Sequence, residues 1–278
     1  MVVMRLEKLS YSLASVTPTG GEASEDTAKI YNGLIRNIRN MSDADSVFNA
    51  ASRSNVVGGF DAVEIVQAYI EGDSMDQDLL IKKIPNAVDS VWFDVGAVKA
   101  DASDANWCVK LIAIPAAQYK EDYPDGAGQS VGDDKQSKAY YDVADFVTIG
   151  QLYYKKRKKI EIVQMTNNAV YQVDDKFESV VDELYMQGIT IATDAEGNEK
   201  RRFRNTYRVH SRLFDGGDWL SEEEETVFDY LPIVPVYGNF DIFENKTIYF
   251  GAIEKLYDSQ RALNYAISRD IEDGALSP

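Results

Sequence analysis

The sequence holds a single cysteine, Cys108, and a single histidine, His210, among 278 residues. One thiol excludes an internal disulfide, and one imidazole excludes the multi-histidine sites that zinc favours. Basic residues are scarce as well: 29 Lys and Arg face 46 Asp and Glu, leaving a formal charge of −17. Proteins that grip duplex DNA do so with basic groups that displace counterions. A surface this acidic is therefore expected to tolerate DNA nearby without binding it specifically, and to avoid anionic membranes. Long apolar runs are missing too. No stretch approaches the ~20 residues needed to cross a bilayer, and residues 1–16 lack the apolar centre of a signal peptide. With so little cysteine, the expected place of assembly is a reducing cytoplasm.

Catalytic signatures are equally absent. There is no G-x-S-x-G, no phosphate loop, no H-E-x-x-H and no Rossmann glycine fingerprint, so neither an enzyme nor a cofactor site is expected. A serine or cysteine nucleophile would have to use His210, which sits in a strand pattern beside Arg208 and Arg212 with nothing to orient it as a base. Carboxylates abound, and Asp101 with Asp104 and Asp194 with Glu196 are the pairs a glycosidase or a calcium site would draw on. Both lie in turn contexts, where Asp ordinarily accepts from local backbone N–H groups. No metal site is expected.

What is present reads as α+β. Ser24 is a candidate N-cap, followed by Glu25 and Asp26 and by Ala28, Tyr31, Leu34, Ile35 and Ile38 at helical spacing. A second helix is expected from Ser42, with Ala44, Val47, Phe48 and Ala51 on one face, ending at Gly58-Gly59. Short runs rich in Val, Ile and aromatics then predict strands at Phe60–Ile70, Leu79–Ile84, Val88–Phe93 and Trp107–Ile114. Pro115 suits the start of a short helix reaching Tyr123. A polar stretch over 124–144 follows and predicts a boundary.

A second module is expected beyond it, over 145–237. Its parts are strands at Phe146–Tyr154 and Lys159–Gln164 and a helix with Phe177, Val180, Val181 and Leu184 inward, capped by Asp174 or Asp175. A hairpin of Gly188–Ala192 with Arg201–Arg212 and a solvated acidic loop at Glu222–Glu225 complete it. Leu231-Pro-Ile-Val-Pro-Val-Tyr-Gly238 closes the module, its two prolines forbidding a central strand. A long helix from about Ile248 follows, with Phe250, Ile253, Leu256, Tyr257, Leu263, Ala266, Ile267 and Ile271 as its apolar stripe.

Two basic clusters stand out from the acidic background: Lys155, Lys156, Arg157, Lys158 and Lys159, then Lys200, Arg201, Arg202, Arg204 and Arg208. A nucleic-acid patch is one reading. The other is a charge-compensating strand edge that meets acidic neighbours, since the runs lack the interleaved aromatics of a single-strand platform.

The segment Leu231-Pro-Ile-Val-Pro-Val-Tyr-Gly-Asn-Phe240, followed by a helix with Asp258, Gln260, Arg261 and Asn264, resembles the portal proteins of short-tailed phages. There a Pro-Ile-Val-Pro-Val-aromatic-Gly segment precedes a helix bearing Asp-x-Gln-Arg and then Asn. Val91-Trp-Phe-Asp94, Asp101-Ala-Ser-Asp-Ala105 and Trp107-Cys108 are similar to a pattern in that family's wing, and the Asn49–Val57 helix, glycine pair and strand match a unit just upstream. The likeness covers about residues 20–278, and the family's chains extend further on both sides. An Asn-Pro pair that the family carries near the start is missing.

The resemblance implies a portal-like α+β fold. Residues 1–123 would form a wing of helices and antiparallel strands with a first short stem helix, 124–144 a linker, 145–237 a clip, and 238–278 a second stem helix. It implies a homo-oligomeric ring, a dodecamer, at one capsid vertex of a virion, used in genome packaging, ejection and tail attachment. Partners would be the terminase, a tail adaptor, and capsid and scaffolding proteins, with double-stranded DNA passing through. The clip's basic residues Lys155–Lys159, Arg201, Arg202 and Arg204 would face partners or neighbouring subunits. Other readings left open are an adaptor or baseplate protein and a carboxylate-based hydrolase.

Overall fold

The computed structural model describes residues 15–19, 24–69, 75–99, 101–132, 146–194, 196–243 and 246–276. Ser24, in extended conformation, accepts the Asp26 N–H on its Oγ at 3.2 Å and starts α1 (Glu25–Met41) where the sequence predicts. Glu25 and Asp26 lie over the unpaired N–H groups of the first turn. Ala28 is buried and Ile35 and Ile38 half-buried, but Tyr31 and Leu34 stay exposed, so only part of the predicted stripe is covered. α2 (Ala44–Gly58) buries Ala44 and Ala51 and stops where Gly59 turns left-handed at φ +82°. Ser42, expected to open this helix, instead ends α1 and accepts the Ile81 N–H at 2.9 Å.

β1 (Phe60–Tyr69) pairs antiparallel with β2 (Gln77–Lys83). The predicted strand at Val88–Phe93 divides into a short helix, α3 (Ala87–Ser90), and β3 (Val91–Phe93). Ser90 is the reason. Its hydroxyl donates to the carbonyls of Asn86 and Pro85, holding a helical turn that periodicity does not reveal. β4 (Trp107–Pro115) follows, and Pro115 is the N-cap of α4 (Ala116–Asp122).

β5 (Phe146–Gln164) is a single strand of 19 residues where two shorter strands are expected. The basic run has no apolar alternation, which made it look like a break. Backbone pairing carries the strand through it, because β7 (Arg201–Phe214) matches β5 from Gly150↔Phe214 to Val163↔Arg201. Arg201–Arg212 therefore does not pair with Gly188–Ala192; the local hairpin is confined to Thr193↔Glu199 about the Asp194 turn. Between these strands lie β6 (Val170–Gln172), paired with the end of β5, and α5 (Asp175–Met186), capped by Asp174 through the Phe177 N–H at 2.9 Å. Phe177 and Leu184 are buried and Val180 is exposed. The acidic run is not a free loop: β8 (Glu224–Glu225) pairs with His210 and Ser211.

β9 (Ile233–Tyr237) returns to β1, giving a three-stranded sheet in the order β2-β1-β9. Pro235 is admitted because β9 is an edge. Residues expected in the last helix first form a hairpin, β10 (Asn239–Phe243) with β11 (Lys246–Phe250), and a 3-10 turn at Glu254–Leu256. The helix itself, α6, runs Tyr257–Leu276. Tyr237 explains the hairpin: its ring stacks on Tyr249 at 4.0 Å, and Phe240 meets Tyr249 edge-on.

Two cores result. The larger joins Ala62, Ile84, Val91, Cys108, Leu231 and Ile233 with Tyr153 and Val209 from the long strands. The smaller gathers Val163, Met165, Phe177 and Leu184. β5 and β7 belong to a six-stranded sheet, order β3-β4-β5-β7-β8 with β6 alongside β5, and are the strands that connect the cores.

The end of β7 holds the described part of the polar stretch in place. Tyr119 Oη donates to Asp215 Oδ2 at 2.5 Å, and the N–H groups of Gly128, Gly217 and Asp218 also point at that carboxylate. Burial pulls the Asp215 carboxyl up, but the hydrogen bonds from Tyr119, Asp218, Gly217 and Gly128 outweigh it and hold it below its ordinary 3.8. A depressed carboxyl contributes stability that is complete above the unfolded value and is lost as pH falls through the folded one. Thermal melts should therefore show wild type losing stability below about pH 4, with a shallower acid loss in Asp215→Asn. Equal slopes would remove Asp215 from this account.

Candidate functional site

Between the two cores, β5 and β7 run as a two-stranded ribbon that is bare among the described residues. β4 leaves β5 at Tyr154 and β6 joins it only at Ile162. On the other side, β8 accompanies β7 only at His210 and Ser211. Both predicted basic clusters fall here, on neighbouring strands, with Lys156↔Arg208, Arg157↔Tyr207, Ile160↔Arg204 and Ile162↔Arg202 in register. Alternation sends Lys155, Arg157 and Lys159 to one face and Lys156 and Lys158 to the other.

The charges on this ribbon are of two kinds. One set is already paired within the chain. Lys156 donates to Glu223 Oε2 at 2.6 Å and Lys158 reaches Glu225 at 3.2 Å. Arg201 binds Glu199 at 2.5 Å and Glu161 at 3.2 Å, and Arg208 meets Asp229 with Glu225 at 3.6 Å. The hydrogen bond from Lys156 holds the Glu223 carboxyl below its ordinary value and, reciprocally, raises Lys156. Lys155 is spent inward, donating to the Ser103 carbonyl at 2.7 Å, and burial lowers its ammonium. Lys159 lies 4.2 Å over the Phe203 ring.

The other set has no carboxylate partner among the described residues: Arg157, Arg202 and Arg204, all exposed. Charge compensation thus accounts for the paired set and leaves these three facing outward. Two exposed aromatics lie nearby: Phe203, 60% exposed, and Tyr207, 53% exposed, are in register with Glu161 and Arg157 and share the Arg157 face, whereas Arg202 and Arg204 lie on the other. Sequence spacing alone held that signal, because Phe203 lies between Arg202 and Arg204.

The second predicted group sits on α6. Gln260 donates to Asn264 at 2.9 Å, one turn on, and Asp258 and Arg261 are exposed. So is every residue from Ala252 to Ala275, including Leu263 at 53%, Ile267 at 48% and Ile271 at 67%. Nothing among the described residues covers this apolar stripe. The ribbon and the helix are separate surfaces.

Asp101, Asp104 and Asp194 are held by their own turns. Asp101 accepts the Ser103 N–H, and Asp104 those of Val98 and Lys99. Asp194 accepts from Glu196 and Asn198. Each is a turn acid whose carboxyl is lowered chiefly by those backbone donors. His210 Nδ1 lies 2.8 Å from Glu223 Oε1, with its ring stacked against Tyr154, on the flank of the sheet. Burial, with the nearby Glu64 charge, pushes the Cys108 thiol up to about 12, far from a reactive thiolate. Among the described residues no group of three His, Cys, Asp or Glu could hold a metal ion, and no helix is long and apolar enough to cross a membrane.

Comparison with known proteins places the chain in a family. A family model described as phage P22-like portal protein matches residues 5–278. A portal protein of Acyrthosiphon pisum secondary endosymbiont phage 1 is 30% identical over 260 residues, which is 90% of this chain and 35% of that protein. The chain thus spans about a third of the length of that curated relative. The family match takes in both cores, the ribbon and α6. The chain belongs to the phage P22-like portal protein family.

Proposed function

We propose that this chain is the wing, clip and stem portion of a portal subunit, which assembles as a ring at one capsid vertex and forms the channel for genome packaging and ejection. The observation that carries the reading, beside the family, is α6. A lone helix of 20 residues gains little stability in water without tertiary packing. Its exposed Leu263, Ile267 and Ile271 call for a cover, and a neighbouring copy in a closed ring supplies one. The −17 charge suits a wall along which DNA slides rather than sticks.

In this reading residues 1–123 are wing with a first stem helix, 145–237 clip, and 238–278 the second stem. Arg157 on one face of the ribbon and Arg202 and Arg204 on the other, with Lys155–Lys159 and Arg201 around them, are the clip residues that meet a terminase or a tail adaptor. The ring is a dodecamer in the virion, built with capsid and scaffolding proteins. ATP chemistry belongs to the motor.

Light scattering of the full-length protein at micromolar concentration tests this, with a ring-sized particle expected and a stable monomer contradicting it. Arg261→Glu should hinder that assembly while leaving the melting of the monomer within about 0.5 kcal/mol of wild type, since it is exposed and makes no ion pair among the described residues. Reversing Arg157, Arg202 and Arg204 together to Glu should weaken adaptor attachment and leave folding intact, because surface charges contribute little stability. Attachment unchanged by the triple reversal would take the ribbon out of the partner surface.

A further inference from the structure

The ribbon has a gap in one edge. β4 and β6 lie on the same side of β5, both antiparallel to it, and stop short of each other. The last bond at the β4 end is Lys155 N–H to the Asn106 carbonyl at 2.8 Å; the first at the β6 end is Val173 N–H to the Glu161 carbonyl at 2.9 Å. In an antiparallel ladder a residue's N–H and C=O point to the same side, and the side alternates along the strand. Odd-numbered residues of β5 therefore face β4 and β6, and even-numbered ones face β7, as Gln164 N–H to the Lys200 carbonyl confirms. Arg157 and Lys159 direct their backbone groups into the gap, where no strand meets them among the described residues. From Lys155 to Glu161 the opening is roughly 20 Å at the rise of a strand.

A cleft of about 520 Å³ opens beside this gap. Asn106 and Lys155 line it at the β4 end and Gln172 at the β6 end, with Arg204 and Arg208 among its walls. Its acids are already committed: Asp104 to the N–H groups of Val98 and Lys99, and Asp229 to Arg208. Arg204 in the cleft wall has no carboxylate partner among the described residues, and Arg157 and Lys159 on the neighbouring edge have none either.

We infer that residues 156–160 of β5 receive an extended acidic segment of a partner protein as an added strand, bonded to the backbone of Arg157 and Lys159 and flanked by their cations. This rests on the reading of the ribbon as a partner surface and names the kind of partner. Lysines on a free edge usually serve to repel strand addition. Here the edge is closed at both ends by β4 and β6, so long strands are excluded already, and a short one whose carboxylates match the cations is admitted. Backbone pairing gives such a contact its affinity and the alternating charges its selectivity.

The test uses the 278-residue chain and a fluorescently labelled short peptide of alternating Glu and Thr, read by anisotropy. Two controls are the same peptide with every backbone amide N-methylated and a Lys-Thr counterpart. The Glu-Thr peptide should bind, and the N-methylated form at least about tenfold more weakly, since it keeps the charge but cannot pair. The Lys-Thr peptide should not bind. Arg157→Pro should abolish binding with little loss of fold, because the N–H it removes makes no ladder bond to β7. Equal binding of the N-methylated peptide would reduce the site to charge attraction and overturn the inference. So would the absence of any binding, or preferential capture of a labelled single-stranded DNA. None of these outcomes bears on whether full-length protein forms a ring, so the two readings fail separately.

Discussion

Replacing Lys110 with alanine should cost about 3–5 kcal/mol of folding stability, the usual penalty for orphaning a buried charge. Glu64 on β1 and Lys110 on β4 join the two sheets across the larger core, with Nζ 2.5 Å from Oε1 and both side chains nearly covered. Tyr153 Oη approaches the same Oε1 at 3.5 Å, and burial raises its phenol together with that charge. Take Lys110 away and the Glu64 carboxylate remains in a space shared with Cys108 and Tyr153. The double variant Glu64→Leu with Lys110→Met should recover most of the loss, because two matched apolar side chains replace a desolvated pair. Urea denaturation of wild type and the two variants measures both effects. A Lys110→Ala loss below about 1 kcal/mol would show that the pair is solvated and does not tie the sheets together.

Gly59→Ala should be comparably damaging, at about 3 kcal/mol or more, while Gly58→Ala beside it should be neutral or slightly stabilising. Gly59 has φ +82°, and a Cβ there would lie 2.4 Å from the Phe250 carbonyl carbon and 2.6 Å from Gly251 N. Those are backbone atoms with no room to yield. Gly238 and Gly251 crowd the same point, where the end of α2, the end of β9 and the hairpin β10–β11 cross. Gly58 is helical, and its added Cβ meets only Val88 Cγ2 at 3.8 Å. Thermal melts of the two variants decide the matter. Similar melting temperatures would mean that the glycine crossing is not what docks the hairpin, and through it α6, on the end of α2.

Much of this was legible in the residues, and the failures have physical causes. Helix α1 was readable from Ser24 and its acids, and α5 from Asp174 and the Phe177–Leu184 face, because caps and periodicity are local. The edge position of β9 followed from Pro232 and Pro235. The continuity of β5 through Lys155–Lys159 did not, since a strand with neither face buried carries no alternation and is held by its partner's backbone. The roles of Glu223 and Glu225 were hidden for the same reason: their cations, Lys156 and Lys158, lie 67 residues away in sequence. The hairpin before α6 was missed because Phe250 and Ile253 happen to extend the helical period, whereas the Tyr237–Tyr249 stack that decides it is a tertiary contact. Arg157, Arg202 and Arg204, the residues proposed for the partner surface, could be nominated from sequence, but only the fold separates them from the cations already paired.

Electron micrographs of the full-length protein test the central claim most directly. The account predicts closed rings with a central channel, in which α6 of each subunit lies against its neighbour and the β5–β7 ribbon stands at the end that a tail adaptor covers. Particles without a channel, or rings in which α6 remains exposed on every side, would contradict it.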